Sequence, residues 1–223
     1  MTYHFSFPYI WGATPDLLQG LWVTLLISLM AIVFSLVIGT VCACLRVFRV
    51  PVLSQATTAY VQFIRSTPLL VQIFFIFYGL ASLGLRLDGF WAGVLALSLW
   101  GGAYNTENIR GGLAAVDKGL REAASSLGLH PLLFLRLVAL PIGLRVCIPA
   151  LVNTAVSVLK NSSYLQAIGV AELTFVAMNR VAMDFRTLEM FFAIGLIYLV
   201  IVLLLSAAVR RLETVLHAPF RTA

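Results

Sequence analysis

The sequence predicts an all-α membrane protein with five transmembrane helices and a polar helical hairpin between the third and the fourth. Composition is the first reason: 61% of the 223 residues are hydrophobic, only 11% are charged, and the mean hydropathy is +0.99. A soluble domain carries about 25% charged residues. The second reason is that the charged residues cluster, which leaves five apolar segments able to cross, or begin to cross, a bilayer. The third is the polar connection at residues 111–145.

The apolar segments indicate one transmembrane domain with short flanks. The segments comprise residues 17–45, 66–85, 90–106, 146–159 and 190–209. We expect residues 17–212 to form the transmembrane domain, residues 1–16 to form an aromatic segment at the external membrane interface, and residues 213–223 to form a cytoplasmic tail. The fourth segment alone would rise only ~21 Å as a helix, less than the ~30 Å of a hydrocarbon core.

The basic residues predict the orientation of the chain. Connections on the cytoplasmic side of a membrane carry an excess of Lys and Arg. With five crossings, ten basic residues fall on one side: Arg46, Arg49, Arg110, Lys118, Arg121, Arg136, Arg145, Arg210, Arg211 and Arg221. Three fall on the other: Arg86, Arg180 and Arg186. We therefore expect the N-terminus outside, the C-terminus inside, and the connection 111–145 in the cytoplasm.

The connection 111–145 has the local signals of two short helices. Asp117 can accept hydrogen bonds from the first free N–H groups of a helix. Gly128 suits the position after a helix, where the backbone becomes left-handed. Pro131 fits the first turn of a second short helix, and we expect Pro141 to end that helix. Such a hairpin in a membrane protein is typical of a contact with something outside the bilayer.

The same connection resembles the signature loop of permease subunits in bacterial ABC importers. The matching residues are Glu122-Ala123-Ala124, then Gly128, Val138 and Leu140-Pro141. The resemblance implies a type I importer permease fold in a bacterial inner membrane. It also implies that the loop is a coupling helix that docks into a separate ATPase subunit. The residues expected to couple are Arg121, Glu122, Ala123, Ala124, Gly128, Leu140 and Pro141.

Three further stretches resemble the polar amino acid permeases of that group, of the histidine and glutamine permease type. Residues 65–72 read Arg-Ser-Thr-Pro-Leu-Leu-Val-Gln, and residues 102–112 read Gly-Ala-Tyr-Asn-Thr-Glu-Asn-Ile-Arg-Gly-Gly. Residues 168–173 read Ile-Gly-Val-Ala-Glu-Leu. The resemblance implies transport of polar amino acids or related compounds such as opines. The implied partners are two ATP-binding subunits, a second copy or homologue of the permease, and an extracytoplasmic solute-binding protein.

Polar residues inside the apolar segments are candidates for a translocation path. They are Gln72, Glu107, Asn153, Ser157, Lys160, Asn161 and Ser162. Polar groups at membrane depth face water or protein rather than lipid, so they either line a path or bind neighbouring helices. Both alternatives stay open for Gln72 and for the group around Lys160. Glu107 could contact a cationic substrate group or pair with Arg110, which lies three residues further along the helix.

Several functions are excluded or disfavoured by the residues that the sequence contains. There is no Gly-x-x-x-x-Gly-Lys-Ser/Thr run, so ATP and magnesium should bind a partner chain, and we expect neither an enzyme nor a bound cofactor. The spacing of the three Cys and three His gives no metal-site pattern. One-sided basic residues indicate membrane orientation and no nucleic-acid binding. A self-contained secondary transporter is the alternative, although such proteins normally have more helices and inverted repeats.

Overall fold

The computed structural model describes residues 4–217, except for the side chains at 131, 132, 209, 210 and 212–217. Every regular element among the described residues is helical. The α-helices are α1 (Phe7–Val47), α2 (Leu53–Ser66), α3 (Leu69–Phe74), α4 (Leu80–Ser82), α5 (Gly89–Ala114), α6 (Lys118–Ser126), α7 (Pro131–Phe134), α8 (Leu140–Asn161), α9 (Leu173–Asp184) and α10 (Thr187–His217). Turns of π-helix join α3 to α4 and α7 to α8, and a 3₁₀ helix covers Ser162–Ile168. The fold class predicted from composition is confirmed.

Helix α1 begins ten residues before the predicted first span. It runs for 41 residues from Phe7 and includes Pro15 in its interior. Residues 7–16 are therefore helical and continuous with the span, so the predicted boundary at residue 16 does not coincide with a helix start. At about 1.5 Å per residue, a helix of this length exceeds the ~30 Å hydrocarbon core. The expected location of residues 4–16 at the external interface remains a prediction.

The second predicted span begins at a sharp bend in the chain. The helical segments Leu53–Ser66 and Leu69–Ser82 meet at an angle of 113°. Pro68 disfavours helical torsions in the residue before it, and Thr67 accordingly has an extended backbone (φ −115°, ψ 147°). The predicted span 66–85 therefore begins at this bend and contains one helical segment, Leu69–Ser82, with a π turn at Phe75–Gly79.

Helix α5 lies at the centre of the bundle and packs closely on α1 and on α8. Small residues make this approach feasible. A Cβ atom added at Gly39 of α1 would lie 2.5 Å from the Asn105 Cβ on α5. A Cβ added at Gly112 of α5 would lie 2.5 Å from the Gly143 carbonyl oxygen on α8. The glycines on these two helices therefore fix how closely the three helices pack.

The connection after α5 differs from the predicted hairpin at Pro141. Asp117 caps α6 and Pro131 starts α7, as predicted. Pro141 was expected to end the second short helix, but it lies in the first turn of α8, and the chain stays helical through the π turn Leu135–Ala139. A π turn changes the hydrogen-bond register, which accommodates the missing N–H of proline. The fourth span is accordingly longer than 146–159: residues Leu135–Ile168 form a helical segment of 34 residues.

Hydropathy alone identifies fewer membrane crossings than the predicted five. In the described part of the chain, three helices are long and apolar enough to cross a membrane, and four if the bent pair is one span. Helix α5 is 26 residues long but carries Asn105, Thr106 and Glu107 in its second half. A helix surrounded by other helices can keep such residues away from lipid. The count of five remains a prediction.

The end of the bundle opposite α6 is held together by buried carboxylates and ion pairs. The Glu172 carboxylate, fully buried, accepts hydrogen bonds from the Thr174 and Phe175 backbone N–H groups at 3.0 and 2.7 Å and so caps α9. Arg180 of α9 pairs with Asp16 of α1. The ion pair joins α9 to α1.

Candidate functional site

Helix α6 is fixed at both ends by the residues that the sequence indicated. The Asp117 carboxylate accepts a hydrogen bond from the Gly119 N–H at 2.6 Å. Gly128 follows the helix with φ +71°, a torsion that glycine adopts without steric cost. The Leu129 N–H then donates to the Ala124 carbonyl oxygen at 2.9 Å. The short helix is therefore capped within its own sequence.

The two faces of α6 have different surroundings. Ala124 is 6% exposed and packs with Phe134 and Ala139, which lie in the segment that continues into α8. Glu122 and Ala123 are exposed on the other side, and Leu127 just beyond the helix is 79% exposed. The outer face of α6, defined by Glu122, Ala123, Ser126 and Leu127, has an apolar residue and a carboxylate available to a partner.

The remaining coupling candidates lie on either side of that face. Arg121 is exposed and lines a cavity of about 610 Å³, here called the α6 cavity, between α6 and the ends of α1 and α5. Leu140 and Pro141 are exposed in the first turn of α8. The structure thus gives Arg121, Glu122 and Ala123 surface positions on α6, and it gives Leu140 and Pro141 surface positions at the start of the long membrane helix.

Three of the predicted path residues share one face of α8. Asn153 and Lys160 are exposed, and Ser157 between them is half-buried. Their spacing of four and three residues places them in line along the helix. The Ser157 hydroxyl donates to the Asn153 carbonyl oxygen at 2.8 Å within the helix. The stripe Asn153–Ser157–Lys160 is therefore a polar surface on a membrane helix. A different face of α8, with Gly143, Cys147 and Thr154, is buried.

Asn161 and Ser162 lie at the end of α8, where the helix tightens into the 3₁₀ segment. Asn161 is half-buried and is the last residue of α8. Ser162 is fully buried, and its hydroxyl donates to the Leu159 carbonyl oxygen at 2.7 Å. Ser162 therefore contributes to the turn and is not on the exposed stripe.

Gln72 is turned into the bend between α2 and α3. It is buried, and its Nε2 atom donates to the Ile64 carbonyl oxygen at 2.8 Å and to the Thr67 hydroxyl at 2.8 Å. Both acceptors lie at the end of α2, where backbone carbonyls lack helical partners. The contacts support the alternative that Gln72 packs against a neighbouring helix.

Glu107 has two cationic partners in the structure. Its carboxylate pairs with Arg46 at the end of α1 and with Arg110 one turn further along α5, at 2.7 Å in the second case. Next to this triad, a polar cavity of about 450 Å³ is lined by Arg46, Arg65, Tyr104 and Glu107 among others. The ion pair with Arg110 is the one the spacing predicted, and Arg46 is a second partner that sequence reasoning missed.

Sequence reasoning also missed two amides that connect helices. Asn105 donates to the Ser35 hydroxyl of α1 at 3.1 Å. Asn108 donates to the Thr154 hydroxyl of α8 at 2.9 Å. An amide inside an apolar helix signals such a contact, but the partner cannot be read from one sequence.

The sequence is similar to known transport proteins over most of the chain. The profile of the family described as "Binding-protein-dependent transport system inner membrane component" matches residues 35–216. The chain is 38% identical over 211 residues to the glutamine transport system permease protein GlnP of Escherichia coli. This match covers 94% of this chain and 96% of that protein. It is 34% identical over 193 residues to the arginine transport system permease protein ArtQ of Bacillus subtilis, covering 86% and 88% of the two chains.

Solved structures show the same fold. A crystal structure of an amino acid ABC transporter with histidines matches with a TM-score of 0.89 and 33% identity, covering 95% of this chain and 99% of that one. An inward-facing MetNI methionine ABC transporter matches with a TM-score of 0.78 at 21% identity, again over 95% of this chain and 99% of the other. The second likeness concerns the fold alone.

Proposed function

The chain belongs to the family of binding-protein-dependent transport system inner membrane components and is the permease subunit of an ABC importer, and on that premise we propose that it conducts polar amino acids. The relatives named for glutamine and for arginine support this substrate class. Close relatives of amino acids, such as opines, belong to the same proposal.

The outer face of α6 carries the proposal for coupling. Glu122 and Ala123 are exposed there, whereas Ala124, the buried residue of α6, packs on the rest of the chain. Glu122 supplies a charged anchor, Ala123 allows close approach, and Gly128 ends the helix so that its outer face stays clear. In this proposal α6 docks on a separate ATP-binding subunit.

The contacts of α6 suggest how ATP-driven movement reaches the membrane. Ala124 packs against Phe134 and Ala139, and the chain is helical from there into α8. A displacement of α6 would therefore be transmitted to α8, which carries the stripe Asn153–Ser157–Lys160. Rigid movement of packed helices of this kind alternates the side to which a path is open.

The polar stripe on α8 supports a second permease in the complex. Asn153 and Lys160 are exposed in this chain, and facing them to hydrocarbon would be costly. A second copy of this chain, or a homologue, would cover the stripe and enclose a polar path between the two.

The remaining parts of the importer follow from the same proposal. Two ATP-binding subunits would hold ATP and magnesium and perform the hydrolysis, so this chain would be non-catalytic. An extracytoplasmic solute-binding protein would deliver the substrate. The excess of basic residues around α6 supports an orientation with the N-terminus outside and the C-terminus inside a bacterial inner membrane.

Reconstitution tests this function directly. The chain, its ATP-binding subunit and the cognate binding protein would be placed in liposomes, and uptake of radiolabelled glutamine, arginine, histidine and glutamate would be measured. We expect uptake of at least one amino acid that requires both ATP and the binding protein. Uptake by the chain alone, driven by an ion gradient, would instead show the secondary transporter, which the family membership does not favour.

A further inference from the structure

The α6 cavity has features that docking of α6 on an ATPase does not use. It has a volume of about 610 Å³ and lies behind α6, on the side away from Glu122 and Ala123. Its apolar lining includes Val47, Phe48, Leu113, Ala114, Phe134 and Leu135. A contiguous apolar concavity of this size is typical of a ligand site.

The cavity lies where the membrane helices end. Val47 is the last residue of α1, and Ala114 is the last residue of α5. Both helices carry basic residues in or beside their last turns, namely Arg46 and Arg110. Helix ends with flanking basic residues mark the level of lipid headgroups.

Two guanidinium groups give the cavity a positive rim. Arg121 of α6 lines it, is exposed, and makes no ion pair or side-chain hydrogen bond that the described residues show. Arg110 lines it as well and uses Nε and Nη2 for Glu107, which leaves further N–H donors for a second acceptor. None of the described residues that line the cavity is acidic.

From this combination we infer that the α6 cavity binds one anionic phospholipid, with its phosphate between Arg121 and Arg110 and an acyl chain against Phe48, Leu113 and Phe134. Basic residues at the membrane surface attract anionic headgroups, and an acyl chain matches apolar walls. The bound lipid would fill the space between α6 and the helix ends and so support α6 from behind. The inference needs the chain to span a membrane, and it does not depend on the substrate or on docking of the ATPase.

Native mass spectrometry of the purified full-length chain in detergent tests the site. The probes are palmitoyl-oleoyl phosphatidylglycerol and the zwitterionic palmitoyl-oleoyl phosphatidylcholine. We expect one phosphatidylglycerol to stay bound to the unchanged chain where phosphatidylcholine does not. Arg121→Gln should weaken that binding about fivefold, as expected for one basic residue near a headgroup.

Matched variants distinguish a specific lipid site from general attraction of anionic lipids to basic residues. Lys118→Gln removes the same charge from an exposed residue of α6 that does not line the cavity, and it should leave binding unchanged. Ala114→Phe projects a ring into the cavity and should weaken retention, whereas Ala115→Phe, at the exposed neighbour outside the lining, should not. Size-exclusion profiles of all four variants check that each is folded, and Arg121→Gln still tests the inference if Ala114→Phe fails that check.

Three results would overturn the inference. Equal retention of the two lipids would show that the charge of the headgroup does not determine binding. Equal weakening by Arg121→Gln and Lys118→Gln would indicate diffuse attraction to basic residues. Stoichiometric displacement of the lipid on addition of the ATP-binding subunit would make the cavity part of the docking surface. Failure of ATP-dependent uptake, by contrast, would affect the proposed function and leave the lipid measurement standing.

Discussion

The polar side chains of the membrane helices fall into two groups according to their contacts. Gln72 and Glu107 are engaged within the chain, the first with the end of α2 and the second with two arginines. Asn153 and Lys160 are exposed on α8. The first group is therefore engaged in contacts between helices, and the second has surface available to a substrate or to another subunit.

Replacement of Glu107 by Gln tests the structural group. The change removes the negative charge between Arg46 and Arg110, and it leaves the half-buried Arg46 close to the exposed Arg110. We expect a loss of roughly 1 kcal/mol in stability, because water screens the exposed partner, measured as a lower thermal unfolding temperature. The double variant Glu107→Gln, Arg46→Gln should lose less than the single one. A single variant as stable as the unchanged chain would contradict the assignment.

Lys160→Met tests the exposed group. The substitution keeps the length and the apolar stem of the side chain and removes its charge. Because Lys160 is exposed on the stripe, we expect the uptake rate or the preference among amino acids to change severalfold while assembly with the ATP-binding subunit is retained. Arg86→Met, at an exposed position in the turn between α4 and α5, is the matched control. Identical kinetics for several amino acids would leave Lys160 with a packing role.

Substitution of Gly128 tests whether the backbone conformation after α6 matters for coupling. Its φ of +71° is strained for a side chain, and no atom lies within 4 Å of an added Cβ, so torsion and not crowding decides the effect. A left-handed torsion costs roughly 1–2 kcal/mol in most residues, and Asn tolerates it better. We expect the importer assembled with Gly128→Val to hydrolyse ATP with reduced uptake, and the importer assembled with Gly128→Asn to stay close to normal. Equal, normal uptake by both variants would be evidence against the role of this turn.

At the level of the helices, sequence patterns located caps and apolar runs better than they located helix ends. Asp117, Gly128 and Pro131 were predicted from local chemistry and are found as predicted. The prediction that Pro141 ends a helix is wrong, because the register change at Leu135–Ala139 lets the helix continue. A single proline in a sequence does not reveal such a turn. Helix α5 continues to Ala114, beyond the predicted span 90–106, because its polar second half packs against other helices.

The contact between α5 and α8 gives a prediction for the packing of these helices. A side chain at Gly112 would meet the Gly143 carbonyl oxygen and the Cys147 Cβ atom, whereas nothing lies within 4 Å at Gly111. We expect Gly112→Val to cost about 1–3 kcal/mol, the range for overpacking, and Gly111→Val to cost much less. Thermal unfolding of the two purified variants decides this. Equal unfolding temperatures would show that α8 moves aside without penalty.

In the whole molecule, a few packed residues connect an exposed helix to a membrane helix. Helix α6 presents Glu122 and Ala123 outward and packs through Ala124 on the segment that becomes α8. The family and this hairpin could be predicted from the sequence because the motif is local. The contacts of Glu107 with Arg46, and of Asn108 with Thr154, could not, because they join residues that are distant in the chain.

Site-specific photocrosslinking tests the central claim, that α6 docks on a nucleotide-binding subunit, most directly. The photoreactive residue p-benzoyl-phenylalanine would replace Ala123 on the outer face of α6, and Trp11, which is 83% exposed near the start of α1, in a control chain. After irradiation of intact membranes, mass spectrometry identifies the crosslinked partner. If α6 docks on a nucleotide-binding subunit, position 123, and not position 11, crosslinks to a chain with a P-loop. Crosslinks from position 123 to lipid alone, or to a chain without a nucleotide site, would contradict it.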